Sequence, residues 1–373
     1  MRDALMGLRV QDRDWMVVGA SPQQMLDQGF MAVGQDFPVF LHPTTHEEYA
    51  LARTERKTAP GYKGFAVHAA PDVTLEEDLG RRDLTINSIA VSADCVRADG
   101  TFDAINVVDP FRGSRDIEAK VLRHTTAAFA EDPVRILRLA RFAARFSDFS
   151  VDAQTMALMQ SMVAAGEADH LVAERVWQEL ARGLMERQPS RLFAVLSGCG
   201  ALERLLPELD TSARAMAVLD GAASIAAPLA VRFAVLCMHG PGAGQLLGVC
   251  QRLRVPTECA ALAQVVAREH HAIAQAASMD AAGRVQLLER CDAFRKPERL
   301  TDILQACACD AAQGGAQPAS HAPSLALAAA LQLAQTVATD SVAAQASRSG
   351  ATGPKIGEAI YAARVTAVAL GML

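Results

Sequence analysis

The spacing of the apolar residues changes once along this chain, and that change constrains the fold more than any other feature. From Trp15 to about residue 117, short apolar runs such as WMVVGA, FPVFL and NSIAVSA alternate with turn residues, as in a mixed α/β domain with a small sheet. From about Phe129 onward, apolar residues recur with the 3.6-residue period of helices, between Gly, Pro and Ser. The sequence therefore predicts an α/β head followed by a carboxyl two-thirds that is mainly helical.

The size and composition of the chain exclude several classes of protein. A chain of 373 residues is too long for one compact core, so roughly two to four packed units are expected. Hydrophobic residues make up 51%, but no stretch approaches the roughly 20 uncharged apolar residues that cross a bilayer. The amino terminus is charged from its second residue and lacks the apolar core of a signal peptide. These features predict a cytoplasmic protein with no membrane partner.

Cysteine usage and charge narrow the classes further. The eight cysteines include no CxxC pair, so reduced thiols are the better interpretation than a zinc site. The formal net charge of −6 argues against a general nucleic-acid coat protein, because phosphate binding needs clustered Lys and Arg. A local basic track remains compatible with this charge.

Two carboxylates precede the first apolar run. Asp12 and Asp14 are at positions i and i+2, and in an extended chain both would project from one face of the sheet. Such a pair can hold Mg²⁺ beside a nucleotide triphosphate, which neutralises charge on the leaving pyrophosphate. The alternative is an exposed acidic turn, because DxD pairs are frequent on solvated edges.

Paired arginines occur at Arg81 and Arg82, directly before Asp83 and the run LTINSIA. A guanidinium group donates two parallel hydrogen bonds to phosphate or ribose, which a lysine cannot do, so this pair is a candidate nucleotide clamp. A solvated helix end is the alternative.

The segment EDPVRILRLARFAAR predicts a helix with one arginine face. At about 100° per residue, Arg135, Arg138, Arg141 and Arg145 share an arc of about 120°, opposite the apolar residues. Asp132 precedes a proline in the favoured order of N-cap and first helical residue. Solvated faces usually mix Lys with Glu, and this one is arginine only, which favours a binding role over a solvated face.

The order of these segments resembles one family. The stretches RDALMGLRVQDRDWMVVG, RRDLTIN, DPFRG, EDPVRILRLARF and ERVWQE are similar to those of the class II CCA-adding tRNA nucleotidyltransferases of the bacterial multifunctional type, over about residues 1–206. The resemblance implies an α/β head of the nucleotidyltransferase superfamily followed by an all-α neck, body and tail. It also implies template-independent addition and repair of the 3′-terminal CCA of tRNA, with CTP and ATP as substrates and Mg²⁺ as cofactor.

The resemblance assigns roles in the head. Asp12 and Asp14 match the catalytic carboxylates that bind Mg²⁺. Arg2 and Arg82 match residues that contact the incoming nucleotide.

The resemblance also assigns roles in the arginine-bearing helix. Arg138 and Arg141 match nucleotide-binding arginines of the family. Asp132 and Arg135 match a pair that imitates a base-pairing edge and so selects C or A. Both bases place an exocyclic amine beside a ring nitrogen acceptor, so one edge can serve both. The segment 53–57 matches a flexible loop that takes part in the switch from CTP to ATP.

Two departures from the family pattern stand out. The family begins with a strand and a Gly-Gly pair directly before the residues that are Arg2 and Asp3 here, so a first strand and turn are missing, through a misassigned start codon or a true truncation. A chain without that strand is expected to be a poor enzyme. Many relatives also carry a metal phosphohydrolase module with an adjacent His-Asp pair, whereas this chain reads Met238-His239-Gly240 at that point. No phosphohydrolase activity is therefore predicted.

The predicted organisation has four parts. These are the head at 1–117, a helical neck with the nucleotide-recognition helix at 118–200, a helical body with a degenerate phosphohydrolase-like region at 201–310, and a linker and Ala-rich helical tail at 311–373. Two other functions stay open. A bacterial poly(A) polymerase shares the head motifs, although a strongly basic carboxyl extension is absent, and a catalytically weakened RNA-binding relative is the second alternative.

Overall fold

The chain divides into two compact units. The computed structural model describes residues 1–11, 13–33, 39–57, 65–97, 101–312 and 320–372. The first unit contains Met1–Gly183 and Arg191–Leu205, and the second contains Leu184–Ser190 and Leu206–Leu373. The predicted division into four parts stays a prediction.

The strands lie in the first unit and are short. They are β1 (Trp15–Val17), β2 (Met31–Ala32), β3 (Val39–Leu41), β4 (Glu48–Leu51), β5 (Thr54–Lys57), β6 (Phe65–His68), β7 (Ala90–Val91), β8 (Val107–Val108), β9 (Val121–Leu122) and β10 (Ser150–Val151). The main sheet has the order β1-β4-β3-β2, in which β1 is parallel to β4 and the other neighbours are antiparallel. In this register Trp15 is opposite Tyr49, and the two rings stack with centroids 5.5 Å apart.

The first unit also contains nine of the described helices. They are α1 (Arg2–Leu5), α2 (Pro22–Asp27), α3 (Leu75–Gly80), α4 (Gly113–Ala119), α5 (Val134–Arg145), α6 (Ala153–Ala164), α7 (Ala173–Leu184), α8 (Ser190–Gly198) and α9 (Ala201–Leu205). Helix α2 begins where the sequence signals a start, because Ser21 and Gln24 form a reciprocal capping box ahead of Pro22. Met25 on α2 packs with Phe40 of β3 in the core beside the sheet.

The DPFRG motif fixes the backbone at the start of α4. Both carboxylate oxygens of Asp109 accept backbone N–H groups at the start of α4, from Gly113 at 2.7 Å and from Ser114 at 2.8 Å. A Cβ at Gly113 would lie 2.1 Å from the carbonyl oxygen of Thr85, so only glycine fits. Helix α4 therefore packs directly against the turn that follows the paired arginines.

The described elements of the second unit are helices. They are α10 (Ala213–Ser224), α11 (Leu229–Cys237), α12 (Ala243–Arg252), α13 (Thr257–Ala274), α14 (Ala281–Arg290), α15 (Pro297–Ala312), α16 (Ala322–Gln335), α17 (Thr339–Arg348) and α18 (Pro354–Leu370). Seven consecutive residues of α11 are buried, and this helix packs against α10, α13 and α15. Helices α16 and α18 pack against α14, so the Ala-rich tail is helical. An α/β head with a helical remainder is confirmed as the fold class.

One predicted loop is a strand. The segment 53–57 was expected to be flexible, but Thr54–Lys57 pairs antiparallel with Phe65–His68, so that prediction is wrong for residues 54–57. The physical reason is that these residues follow β4 almost at once and find a partner strand that the basic composition did not indicate. Residues 58–64 lie outside the described residues, as do residues 313–319 of the predicted linker.

In the described part of the chain, no single helix is long and apolar enough to cross a membrane. One pair of consecutive helices, α16 and α17, is long and apolar enough when the two are taken together, but the pair is bent by 56°.

Candidate nucleotide site

Of the two predicted metal-binding carboxylates, only Asp14 is among the described residues. Asp14 is exposed and directly precedes β1, whereas Asp12 lies outside the described residues. Burial lowers the pKa of the Met1 amine, and among the nearby charges that act on it are those of Asp14, which raises it, and of Arg82, which lowers it. The charges of Asp14 and Arg82 therefore both act on the amino end of α1.

The two paired arginines are held by a single buried carboxylate. Asp78 on α3 is 1% exposed and accepts from Arg81 Nη2 at 2.7 Å and from Arg82 Nη2 at 3.3 Å. Arg82 Nη1 also donates to the backbone carbonyl of Asn87 at 3.2 Å. Groups of the head, Asp78 and the Asn87 carbonyl, therefore fix the two arginines. Arg82 is the more exposed of the two.

Arg2 is held by both aromatic rings and polar groups. Its guanidinium carbon lies 4.8 Å from the ring centroid of Phe142 and 5.3 Å from that of Phe146, both from the region of α5. Arg2 also pairs with Asp3 at 2.8 Å and donates from Nη1 to the side-chain oxygen of Asn87. Stacking and hydrogen bonding together restrict a side chain that is otherwise rich in rotamers.

Asp83 links the head to helix α5. Its Oδ2 accepts from Arg138 Nε at 2.7 Å, and its Oδ1 accepts from Asn87 Nδ2 and from the Leu84 N–H, each at 2.9 Å. Burial by itself would raise the pKa of this carboxyl. The charge of Arg138, together with these hydrogen bonds, outweighs burial and holds the pKa below its ordinary value. Asp83 is therefore a buried anion that fixes Arg138.

A second ion pair closes a path of side-chain contacts that begins and ends on α5. Asp3 accepts from Arg145 Nη2 at 2.8 Å as well as from Arg2. The contacts run from Arg138 through Asp83 and Asn87 to Arg2, and return through Asp3 to α5. Three segments that are far apart in sequence are thus joined by charged hydrogen bonds.

The arginine face of α5 is less exposed than a binding surface would be. Ten of the twelve residues of this helix are buried, among them Arg135 and Arg141, which are 7% and 9% exposed. Arg141 Nε donates to Glu179 of α7 at 2.6 Å, and Arg135 Nη1 donates to the carbonyl of Ala128 at 2.7 Å. This arginine face is buried where an exposed binding surface was expected, because α7 and the turn before α5 contact its arginines. The nucleotide-binding roles predicted for these arginines stay predictions.

Asp132 lies just before α5 and meets an arginine from α7. Helix α5 begins at Val134 with Pro133 as its N-cap residue, one position later than the Asp-Pro order predicted, but Asp132 Oδ1 still makes the capping contact by accepting from the Val134 N–H at 3.1 Å. Arg175 donates to both oxygens, from Nη1 at 3.2 Å and from Nη2 at 2.8 Å. Asp132 and Arg135 are therefore both at the amino end of one helix. Arg175 fixes the Asp132 carboxylate, and the Ala128 carbonyl fixes the Arg135 guanidinium.

Several polar residues of this region were missed as site residues by the sequence prediction. Each is the counter-charge or the amide partner of a predicted arginine or aspartate, and all lie inside segments that carry the resemblance. They are Asp3, Asp83, Asn87, Arg175 and Glu179. A search for acidic partners of the arginines would have drawn attention to them, although spacing alone does not pair them.

The histidines of the second unit form a separate group. His239 Nε2 lies 3.0 Å from Asp310 Oδ1, and the rings of His270 and His271 have centroids 3.9 Å apart. Among the described residues, no three His, Cys, Asp or Glu side chains are arranged to hold a metal ion. The predicted lack of phosphohydrolase activity stays a prediction.

Two family models match this chain. One, described as "Poly A polymerase head domain", matches residues 1–123. The other, described as "Probable RNA and SrmB- binding site of polymerase A", matches residues 148–212.

Curated relatives match almost the whole chain. The multifunctional CCA protein of Polaromonas naphthalenivorans (strain CJ2) is 55% identical over 406 residues, covering 99% of this chain and 96% of the relative. That of Variovorax paradoxus (strain S110) is also 55% identical, covering 99% of this chain and 97% of the relative.

A solved structure shares the fold. It is described as "The structure of CCA-adding enzyme apo form II", is 18% identical, and superposes with a TM-score of 0.68 over 100% of this chain and 90% of that chain. At this identity the likeness shows the fold alone.

Proposed function

This chain belongs to the family of the multifunctional CCA proteins, and we infer that it is a tRNA nucleotidyltransferase that adds and repairs the 3′-terminal CCA of tRNA with CTP and ATP. The observation that carries the chemistry is the arrangement at the start of α5. A carboxylate and a guanidinium, Asp132 and Arg135, lie three residues apart and are each fixed by a neighbouring group. Such a pair matches the amine and ring-nitrogen edge that cytosine and adenine share.

The arginines of the head supply the second half of the substrate site. The charges of Arg2, Arg82 and Asp14 all act on the pKa of the Met1 amine. Arg2 and Arg82 are held by Phe142 and Asp78 respectively, so little conformational entropy remains to be lost on binding. Guanidinium groups bind phosphate oxygens in pairs. We assign Arg2 and Arg82 to the triphosphate, and Arg138 and Arg141 to the wall beside the nucleotide.

Nucleotidyl transfer in this family depends on a divalent cation, and we propose Mg²⁺. Asp14 is an exposed carboxylate, and carboxylate oxygens are the ligands that Mg²⁺ prefers. Mg²⁺ commonly takes one or two carboxylates together with substrate phosphates. The lack of a three-ligand cluster among the described residues is therefore compatible with Asp14 and Asp12 as its protein ligands. When bound, the ion supplies charge neutralisation at the reacting phosphates.

The reaction is an in-line attack of the tRNA 3′ hydroxyl oxygen on the α-phosphorus, with pyrophosphate as the leaving group. The contribution of this chain is positioning and electrostatic stabilisation, as in other phosphoryl transfers. Asp132 and Arg135 orient the base, while Arg2 and Arg82 hold the triphosphate in line with the attacking hydroxyl. We place the enzyme in the cytoplasm, with tRNA as its macromolecular partner.

A poly(A) polymerase is the second candidate, because the matched head model carries that description. Relatives that are 55% identical over nearly the full chain are named as CCA proteins, which favours CCA addition. The two functions differ in their products, since one stops after CCA and the other continues with adenosine.

The test is the length and sequence of the product made on tRNA that lacks CCA. We expect the full chain to add C, C and A and then stop, in the presence of Mg²⁺, CTP and ATP. Asp14→Ala should abolish addition by removing a metal ligand, while the matched variant Asp94→Ala, at an exposed carboxylate of the same unit, should keep it. A run of adenosines would indicate the polymerase, and near-normal turnover by Asp14→Ala would refute the metal assignment.

A further inference from the structure

The two-pronged contact between Arg175 and Asp132 determines which lone pairs of Asp132 are available. Oδ1 accepts from the Val134 N–H at 3.1 Å and from Arg175 Nη1 at 3.2 Å, and Oδ2 accepts from Arg175 Nη2 at 2.8 Å. An ionised carboxylate has about four acceptor positions, so among the described contacts one position, on Oδ2, is left open. That open position is the acceptor that a nucleobase amine would meet.

We propose that Arg175 is a positioning residue for base selection: by fixing the carboxylate of Asp132, it makes the enzyme reject UTP and GTP without itself touching the nucleotide. The proposal rests on the proposed function and extends it from the base-reading pair to the residue behind that pair. Arg175 lies on α7, 43 residues away from Asp132 in sequence.

The carboxylate needs an external constraint. The last torsion of an aspartate side chain joins a tetrahedral to a planar carbon, and its energy profile is broad. One backbone N–H on Oδ1 allows the group to rotate about that hydrogen bond. A guanidinium fork that binds both oxygens removes this freedom, because the two planar groups align.

The fixed orientation distinguishes the bases by their donors. Cytosine presents an amine donor at the position where uracil presents a carbonyl, and adenine differs from guanine in the same way. An amine can donate to the open position on Oδ2, whereas a carbonyl there leaves two acceptors facing each other and unpaired. If the carboxylate can rotate, the difference in binding free energy between bases that present an amine and bases that present a carbonyl decreases.

Arg135 provides the reference for this comparison. Its Nη1 donates to the Ala128 carbonyl at 2.7 Å, and that contact does not involve Arg175. The Arg175 variants therefore leave this contact of the guanidinium half of the base-reading pair untouched. A change in base selection can then be attributed to the carboxylate half.

The test measures selection ratios from initial steady-state rates of the full chain with Mg²⁺. The kcat/KM ratio of CTP to UTP is measured on tRNA that lacks CCA, and the ratio of ATP to GTP on tRNA ending in CC. Arg175→Ala should lower both ratios about ten- to hundredfold, the discrimination carried by one good polar pair. Arg175→Lys keeps the charge but lacks the fork, so it should also lower the ratios.

The control is Arg182→Ala, an exposed arginine on the same helix, which should leave both ratios unchanged. A structural role for Arg175 would reduce the rate with all four nucleotides equally, so unchanged ratios in the variants would overturn the proposal, whatever the rate. If Arg175→Ala fails to fold, the ratios of Arg175→Lys decide. Failure of the unmodified chain to add CCA would instead refute the proposed function, and the two results are distinguishable.

Discussion

The buried pair between Arg141 and Glu179 allows the most stringent test of the packing between α5 and α7. The two charged atoms are 2.6 Å apart, and the side chains are 10% and 6% exposed. At a charge separation of about 4 Å and an effective dielectric constant of about 20, the attraction is about 4 kcal/mol. The desolvation of both ions is of similar size, so the pair as a whole adds little net stability.

Loss of either side chain removes this ion pair and leaves the other charged group in a largely buried position. We therefore expect Arg141→Met and Glu179→Leu each to lower the free energy of unfolding by about 3–5 kcal/mol. The double variant should cost no more than either single change, because it replaces two buried ions with apolar side chains. The coupling energy of the cycle should then be at least about 3 kcal/mol.

The assay uses the natural distribution of tryptophan. The chain has two tryptophans, Trp15 and Trp177, and both lie in the first unit, so denaturant unfolding followed by tryptophan fluorescence reports on that unit. This matters because a protein of two units need not unfold in one step. If the two single effects simply add, with a coupling below about 0.5 kcal/mol, the pair is not energetically linked and the reasoning is refuted.

Two further predictions concern the head. Asp83→Asn should cost about 1–3 kcal/mol at neutral pH, because Arg138 loses its anionic partner. The pKa of Asp83 is lower in the folded protein than in the unfolded chain, where it is about 3.9. Its contribution to stability is therefore complete above the unfolded-state pKa and is lost as the pH falls through the folded-state pKa. The difference in stability between Asp83→Asn and the unmodified protein should shrink in that acidic range. Gly113→Ala should cost at least about 1–3 kcal/mol, because its Cβ would overlap the Thr85 carbonyl oxygen, and thermal unfolding followed by circular dichroism measures this loss.

Each of these changes has a control. Asp94→Asn, at an exposed carboxylate, should alter stability by no more than about 0.5 kcal/mol at any pH. Gly221→Ala, in α10 with nothing within 4 Å of the added Cβ, should be neutral or stabilising by about 0.5–1 kcal/mol. A difference at Asp83 that persists unchanged in acid would contradict the pKa argument, and a stable Gly113→Ala protein would contradict the close approach of α4.

The sequence by itself determined the features that depend on near neighbours. The period of apolar residues predicted α5, and the Asp-Pro order predicted its start to within one residue and the capping hydrogen bond of Asp132, because a helix start is decided within one turn. The order of motifs predicted the family, and the relatives confirm it. The flexible loop that the resemblance implied at 53–57 is wrong for Thr54–Lys57, because a short segment by itself does not indicate whether a partner strand will pair with it.

Tertiary structure decided which charges meet and which face of α5 is covered. Arg141 and Glu179 are 38 residues apart, Asp83 and Arg138 are 55 apart, and Asp3 and Arg145 are 142 apart. Helical periodicity places the arginines on one arc, but it carries no information about what packs against that arc. The covering helix α7 brings its own carboxylate and arginine to α5, and the low dielectric between the helices requires each buried charge to have a partner. Those pairings exist only in the folded chain, and they change an apparent arginine surface into a set of fixed groups.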